Sequence, residues 1–203
     1  MTETLRRELQ IIAEWVTPGS RVLDVGCGDG ELLAWLARNK QVDGRGLEMS
    51  PESVGNCVGK GQVVIQGDAN IDLAYYATGS FDFVIMSQTL QRMDHPDKTL
   101  KELIRIGKQV IVSVPNFAYW RNRFYLLVNG RMPVTSSLSY EWFETPNIHF
   151  CSLADFAILC QAMGVTVEKQ LYLTAHEKAG LLKSQSWLAN LFGEQGIFLL
   201  TSN

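Results

Sequence analysis

A short apolar run, Arg21-Val22-Leu23-Asp24-Val25, stops abruptly at Gly26-Cys27-Gly28-Asp29-Gly30, and the segment ELLAWLARN (residues 31–39) follows at once. A buried strand ends at glycines in this way, and residues 31–39 are strong helix formers. Strand, glycine turn and helix therefore come in that order. Few folds accept this junction. It favours a crossover in which the helix packs back onto the sheet that the strand belongs to.

The same alternation recurs along the chain. Leu5, Leu9, Ile12, Ala13 and Val16 lie at helical spacing, which predicts an amphipathic helix over residues 3–16, ended by Pro18 and Gly19. Residues 44–49 read as a second strand. Ser50 suits an N-cap and Pro51 the first helical position of the helix after it. Residues 62–66 and 81–86 read as the third and fourth strands. Pro96 opens a helix to about residue 107 with Leu100, Leu103 and Ile104 on one face, and residues 108–114 form the fifth strand. None of these strands alternates cleanly between apolar and polar, as expected of strands buried on both faces.

After Pro115 the rhythm breaks. Residues 116–150 are rich in aromatics, begin as a helix and lose their period after Asn129-Gly130. Regular structure then resumes. Ser152 and Asp155 form a capping-box pattern, Phe156, Leu159, Cys160 and Met163 follow at helical spacing, and Gly164 can end that helix. Residues 165–173 and 196–201 read as two late strands, separated by a partly polar stretch containing Trp187, Leu188, Leu191 and Phe192. The expected fold class is α/β, a doubly wound, mostly parallel, seven-stranded sheet. A length of 203 residues suits one domain over residues 1–203, with 116–150 as an irregular cap or insert after the fifth strand.

Charge and composition narrow the partners. Lys plus Arg is 18 and Asp plus Glu is 21, a net charge of −3, which argues against the basic stripe of a non-specific nucleic-acid binder. No apolar run approaches the roughly 18 residues of a membrane span, and the amino terminus lacks a signal-peptide pattern. The four cysteines, Cys27, Cys57, Cys151 and Cys160, contain no CxxC pair. They suggest neither a zinc site nor a disulfide framework, so no metal is expected and the thiols read as those of a cytoplasmic protein.

In an open α/β sheet, ligands bind outside the carboxyl ends of the strands near the topological switch point. The turn at Gly26 and Gly28 lies there, at the start of a helix whose free N–H groups favour an anion. Its spacing is GxGxG. A dinucleotide fingerprint needs a small residue at position 31, where Glu31 would face a pyrophosphate, so NAD is disfavoured. Glu48 closes the second strand, where a carboxylate can accept from both hydroxyls of a ribose, and Met49 beside it can pack on an adenine face.

VLDVGCGDG, GLEMS, Gly67-Asp68-Ala69 and FDFVIMSQTLQRM, in this order, resemble the class I S-adenosylmethionine-dependent methyltransferases over most of residues 20–115. The resemblance implies a Rossmann-like fold that binds S-adenosylmethionine or S-adenosylhomocysteine. It implies that Asp24, Gly26 and Gly28, with Cys27 between the glycines, surround the methionine moiety. Glu48 would hold the ribose and Met49 would touch adenine. Asp68 would accept from the adenine amine with the Ala69 N–H nearby, and Ser87 and Gln88 would line the pocket floor.

A narrower resemblance begins at Pro115-Asn116 and Tyr119-Trp120-Arg121. It continues through Gly130-Arg131-Met132-Pro133-Val134-Thr135, Tyr140-Glu141-Trp142 and Thr145-Pro146-Asn147-Ile148-His149. These segments are similar to the MetW family of methionine-biosynthesis proteins. That resemblance implies a partner, a homoserine O-acyltransferase of MetX type. It makes Asn116, Tyr119, Trp120, Arg121, Tyr140, Trp142 and His149 candidates for a partner or substrate cap. The aromatics and arginines of residues 119–125 are also compatible with plain packing on the sheet and with RNA stacking, and the net charge speaks against the last. A lone histidine such as His149 reads first as a hydrogen-bonded structural residue, with a general base as the alternative. His95 belongs to a helix entry, and His176 has no obvious partner.

Methyl transfer from a sulfonium needs alignment and a dry pocket more than side-chain chemistry, so the lack of an obvious base excludes nothing. The [DNS]PP[YFW] motif of amide and base N-methyltransferases is absent, its place taken by Ser87-Gln88-Thr89-Leu90. No GxSxG nucleophile elbow occurs in the sequence, so an acyl transfer would need another chain's nucleophile. Two functions follow. One is an accessory protein that acts with a homoserine O-acyltransferase; the other is a methyltransferase for a small metabolite.

Overall fold

The structure is a computed structural model that describes residues 5–135, 138, 140–174, 179–181 and 187–201. His176 lies outside the described residues. The first helix, α1 (Arg7–Trp15), buries Leu9, Ile11, Ile12 and Ala13. It starts later than the apolar spacing suggests, because Arg6 is extended. There follow β1 (Arg21–Val25), α2 (Glu31–Lys40), β2 (Asp43–Glu48), α3 (Pro51–Gly59), β3 (Val64–Gln66), α4 (Ala69–Asp72), β4 (Phe81–Ser87), α5 (Pro96–Ile106) and β5 (Gly107–Pro115). The chain continues through α6 (Trp120–Asn129), α7 (Leu153–Ala162), β6 (Thr166–Leu173), β7 (Ala179–Leu181), α8 (Trp187–Phe192) and β8 (Gln195–Thr201).

Two helix starts form as their residues require. Ser50 Oγ accepts the Ser53 N–H with Pro51 in the first turn of α3. Ser152 and Asp155 make a reciprocal capping box at α7. Past Gly130, which ends α6 at φ 61°, the described residues up to α7 form no helix or strand.

The sheet order is β3-β2-β1-β4-β5-β8-β6-β7. The strands from β3 to β5 pair in parallel, and β8 runs antiparallel between β5 and β6. Among the described residues the sheet therefore has eight strands, not the seven read from the sequence. The extra strand is Ala179-Gly180-Leu181, which pairs antiparallel with β6 through Leu171 opposite Leu181. Three residues carry too little periodicity to announce a strand; the partner edge creates it.

Apolar residues cover both faces. Val22, Phe83, Ile85 and Ile111 pack with α1 and α2, whereas Leu23, Val84, Met86 and Val112 pack with α5 and α7. Successive side chains on a strand point to opposite faces, so each of these strands is apolar at consecutive positions. The chain runs outward from β1 to β3, then returns to β4 on the other side of β1. The switch point is the gap between the carboxyl ends of β1 and β4.

Candidate functional site

A cavity of about 480 Å³ opens at that switch point. Its walls come from the segments that leave four parallel strands. Gly26 and Gly28 follow β1; Glu48, Met49 and Ser50 lie at the end of β2; Asp68, Ala69 and Asn70 follow β3; Thr89, Arg92 and Met93 follow β4. Pro146, from the irregular insert, completes the lining.

The turn after β1 is held by backbone bonds. The Gly26 N–H donates to Leu47 O at 2.7 Å, which ties it to the end of β2. Gly26 has φ 73°, and a Cβ built there would lie 2.7 Å from Thr89 Oγ1. Gly28 has φ 53° with nothing within 4 Å of its Cβ position. The first glycine is required by close packing inside the protein. The second is required by its left-handed backbone and leaves open space beside the chain.

Glu48 is the best-positioned acid. Its Oε2 accepts the Gly28 N–H and its Oε1 accepts the Ser50 N–H, each at 2.9 Å. A carboxylate offers about four lone-pair directions, so two backbone donors orient it and leave acceptor capacity. Asp68 caps α4 through Oδ1, which accepts the Asn70 N–H at 2.9 Å, and also lines the cavity. Met49, at the rim, is 67% exposed.

Four residues assigned to the pocket from the sequence do not line it. Asp24 is buried beneath the turn, and its carboxyl is pushed up to about 7, first by burial and then by the charge of Glu48. Cys27 turns its thiol toward Cys57, with Sγ atoms 3.9 Å apart, and burial raises its pKa further than any neighbouring charge does. Ser87 points to the opposite face. Its hydroxyl donates to Glu8 Oε1 at 2.8 Å, and Ser113 Oγ donates to the same oxygen. Alternation along β4 explains this: Phe83 and Ile85 face α1, so Ser87 does too. Gln88, also expected at the pocket floor, is spent on Gln195 through a 2.7 Å side-chain hydrogen bond.

The sequence reading missed Thr89, Arg92, Met93 and Pro146. The first three sit one short turn beyond a strand that was recognised. Pro146 carried no local signal, because only the folded insert brings it to the cavity.

A family model described as "Methionine biosynthesis protein MetW" matches residues 6–200. The chain belongs to the MetW family. A relative from Rhodopirellula baltica, "Bifunctional methionine biosynthesis protein MetXA/MetW", is 32% identical over 178 residues, covering 83% of this chain and 29% of its own length. The chain thus spans under a third of that relative. Among solved structures, a possible histamine N-methyltransferase from Thermotoga maritima superposes with TM-score 0.71 at 22% identity, covering 97% of this chain and 88% of its own. The [4+2]-cyclase SpnF superposes with TM-score 0.66 at 17% identity, covering 97% and 80%. These likenesses establish a class I methyltransferase-like fold for this MetW-family chain and leave its chemistry to the site.

The segments that carried the MetW resemblance divide by burial. Asn116 is fully buried. Its Nδ2 donates to Asn190 O and Gly193 O, both at 2.8 Å, so it anchors the loop after α8 and is not available to a partner. Tyr119 is 4% exposed and packs edge-on to Trp120. Both are corrections to the expected cap. Trp120, Arg121, Tyr140, Trp142 and His149 are exposed, with the Arg121 guanidinium 5.6 Å above the Trp120 ring. His149 Nε2 lies 3.3 Å from Asp94 O, a structural contact at the insert's edge. Among the described residues, no helix is long and apolar enough to cross a membrane, and no group of His, Cys, Asp and Glu could hold a metal ion.

Proposed function

We propose that this chain is an accessory protein of methionine biosynthesis that holds S-adenosylmethionine or S-adenosylhomocysteine in the switch-point cavity and acts with a MetX-type homoserine O-acyltransferase. The observation that carries the partner is the Rhodopirellula relative, whose name joins MetXA and MetW in one chain. Linking two modules gives each a high effective concentration of the other, which favours activities that work in contact. The absence of GxSxG from this sequence supports the same division of labour, with the acyl-transfer nucleophile on the other chain.

The cavity suits the nucleoside. Glu48 would accept from the ribose hydroxyls with the lone pairs that Gly28 and Ser50 leave free. Asp68 would accept from the adenine amine, and Met49 would lie against the ring. When bound, S-adenosylmethionine supplies an electrophilic methyl on its sulfonium. Ser87, at the end of β4, is bonded to Glu8, and Gln88 and Asn116, just past β4 and β5, are bonded to Gln195 and to the loop after α8, so none of these three side chains is free to position an acceptor.

Co-purification from native extract tests the proposal, with bound ligand identified by mass spectrometry and acylation assayed with and without this chain. Recovery of the acyltransferase, its nucleoside-loaded partner and a faster acylation is the expected result. Turnover of S-adenosylmethionine on a defined metabolite, with acylation unaffected, supports the methyltransferase reading instead.

A further inference from the structure

Gln91 lies in the short 3-10 turn Leu90–Arg92, between residues that line the cavity, and is only 5% exposed. Its Nε2 donates to Gln88 O at 2.8 Å and to Asn147 Oδ1 at 3.3 Å. Its carbonyl oxygen accepts the N–H groups of Ile148 at 3.1 Å and His149 at 3.0 Å. Its Oε1 is buried with no hydrogen-bond partner. Gln91 therefore fastens the strap formed by residues 145–149 to the cavity wall, beside the contact of His149 with Asp94 O, and Pro146 of that strap forms part of the lining.

We infer that Gln91 is a positioning residue that latches this strap to the ligand cavity, so that occupancy of the cavity and ordering of the insert are one coupled equilibrium. The inference rests on the proposed nucleoside binding. A ligand in the cavity touches both sides of the latch: Thr89, Arg92 and Met93 on one, Pro146 on the other. It gains contacts only when the strap is closed, and a ligand shifts an equilibrium by its differential affinity for the two states. Coupling is reciprocal, so whatever holds the strap closed tightens the ligand. The strap carries the exposed Ile148 and is flanked in the chain by the exposed side chains of Trp142, Phe143 and Phe150.

Hydrogen exchange on the full chain, with and without S-adenosylhomocysteine, tests this beside calorimetry on the same samples. The expected result is binding together with slowed exchange across residues 145–149. Asn147→Ala, a change in the partly exposed strap that leaves the core intact, should weaken binding about fivefold or more and diminish the protection. Gln91→Leu removes the same side-chain bond and leaves the backbone bonds to Ile148 and His149, so it should weaken binding by a like amount, and the double variant should bind no more weakly than Gln91→Leu alone. A merely structural Gln91 would lower thermal stability and leave ligand-dependent exchange unchanged. Binding with unaltered exchange, or with Asn147→Ala at wild-type affinity, overturns the latch while nucleoside binding stands. No binding of S-adenosylhomocysteine overturns both.

Discussion

Glu48 Oε2 accepts the Gly28 N–H at 2.9 Å, so the acid that closes β2 is aimed by the turn that follows β1. The carboxylate is preorganised by backbone on two sides, since Ser50 donates to its other oxygen. Glu48→Ala should weaken S-adenosylhomocysteine binding by about 1–3 kcal/mol in calorimetry, through loss of a charged acceptor. Glu48→Gln should not restore it, because its NH₂ group would face one of the two backbone N–H donors.

Gly26 and Gly28 share a left-handed backbone and differ in surroundings. Gly28→Ala places its Cβ in open space and should cost about 1 kcal/mol of stability in urea denaturation, with a larger loss in ligand affinity. Gly26→Ala adds an overlap with Thr89 and should cost about 2–4 kcal/mol. Equal costs for the two would show that Thr89 yields freely.

Asp24 gives the fold a pH dependence. Its carboxyl is pushed up to about 7 in the folded protein from an ordinary value of 3.8. Between those values the folded state holds a proton that the unfolded chain has lost, so stability falls as pH rises through this window. The stabilising contribution is complete below the ordinary carboxylate range and gone above about pH 7, a change on the order of 4 kcal/mol. Denaturation midpoints measured from pH 4 to pH 8 should show this decline, and Asp24→Asn should flatten it.

Asn116 and Trp142 belong to the same resemblance and should behave oppositely. Asn116→Ala leaves two backbone carbonyls without their donor and should lower stability by about 2–3 kcal/mol in thermal unfolding. Trp142 is 69% exposed, so Trp142→Ala should change stability by less than about 0.5 kcal/mol. If the insert meets the acyltransferase, Trp142→Ala should reduce its recovery in a pull-down as an aromatic anchor would.

Ligand should reach the partner's activity. Titrating S-adenosylmethionine into the reconstituted pair should change either complex affinity or acylation rate, since the cavity and the insert share a wall at Pro146. A flat response in both measurements would show that ligand in the cavity does not reach the acyltransferase.

The parallel half of the sheet was legible from local chemistry alone. Apolar runs that end in glycine, the Ser50-Pro51 and Ser152-Asp155 helix starts and the acid at the end of β2 are decided within a few residues of chain. Those same signals pointed to Gly26, Gly28, Glu48 and Met49, and the family resemblance added Asp68 and Ala69; all six line one cavity, because every parallel strand must leave its following turn at the same edge of the sheet. What the sequence withheld depends on distant partners. The strand Ala179–Leu181 exists because β6 offers it an edge. Ser87 faces Glu8 because of the side of the sheet on which it falls. Asn116 sits inside and Trp142 outside, although both belong to one recognisable set of motifs. Pro146 reaches the cavity through a segment that bonds to Gln91 from more than fifty residues away in the chain. Burial and facing depend on which elements meet across the fold, and only the tertiary structure brings those elements together.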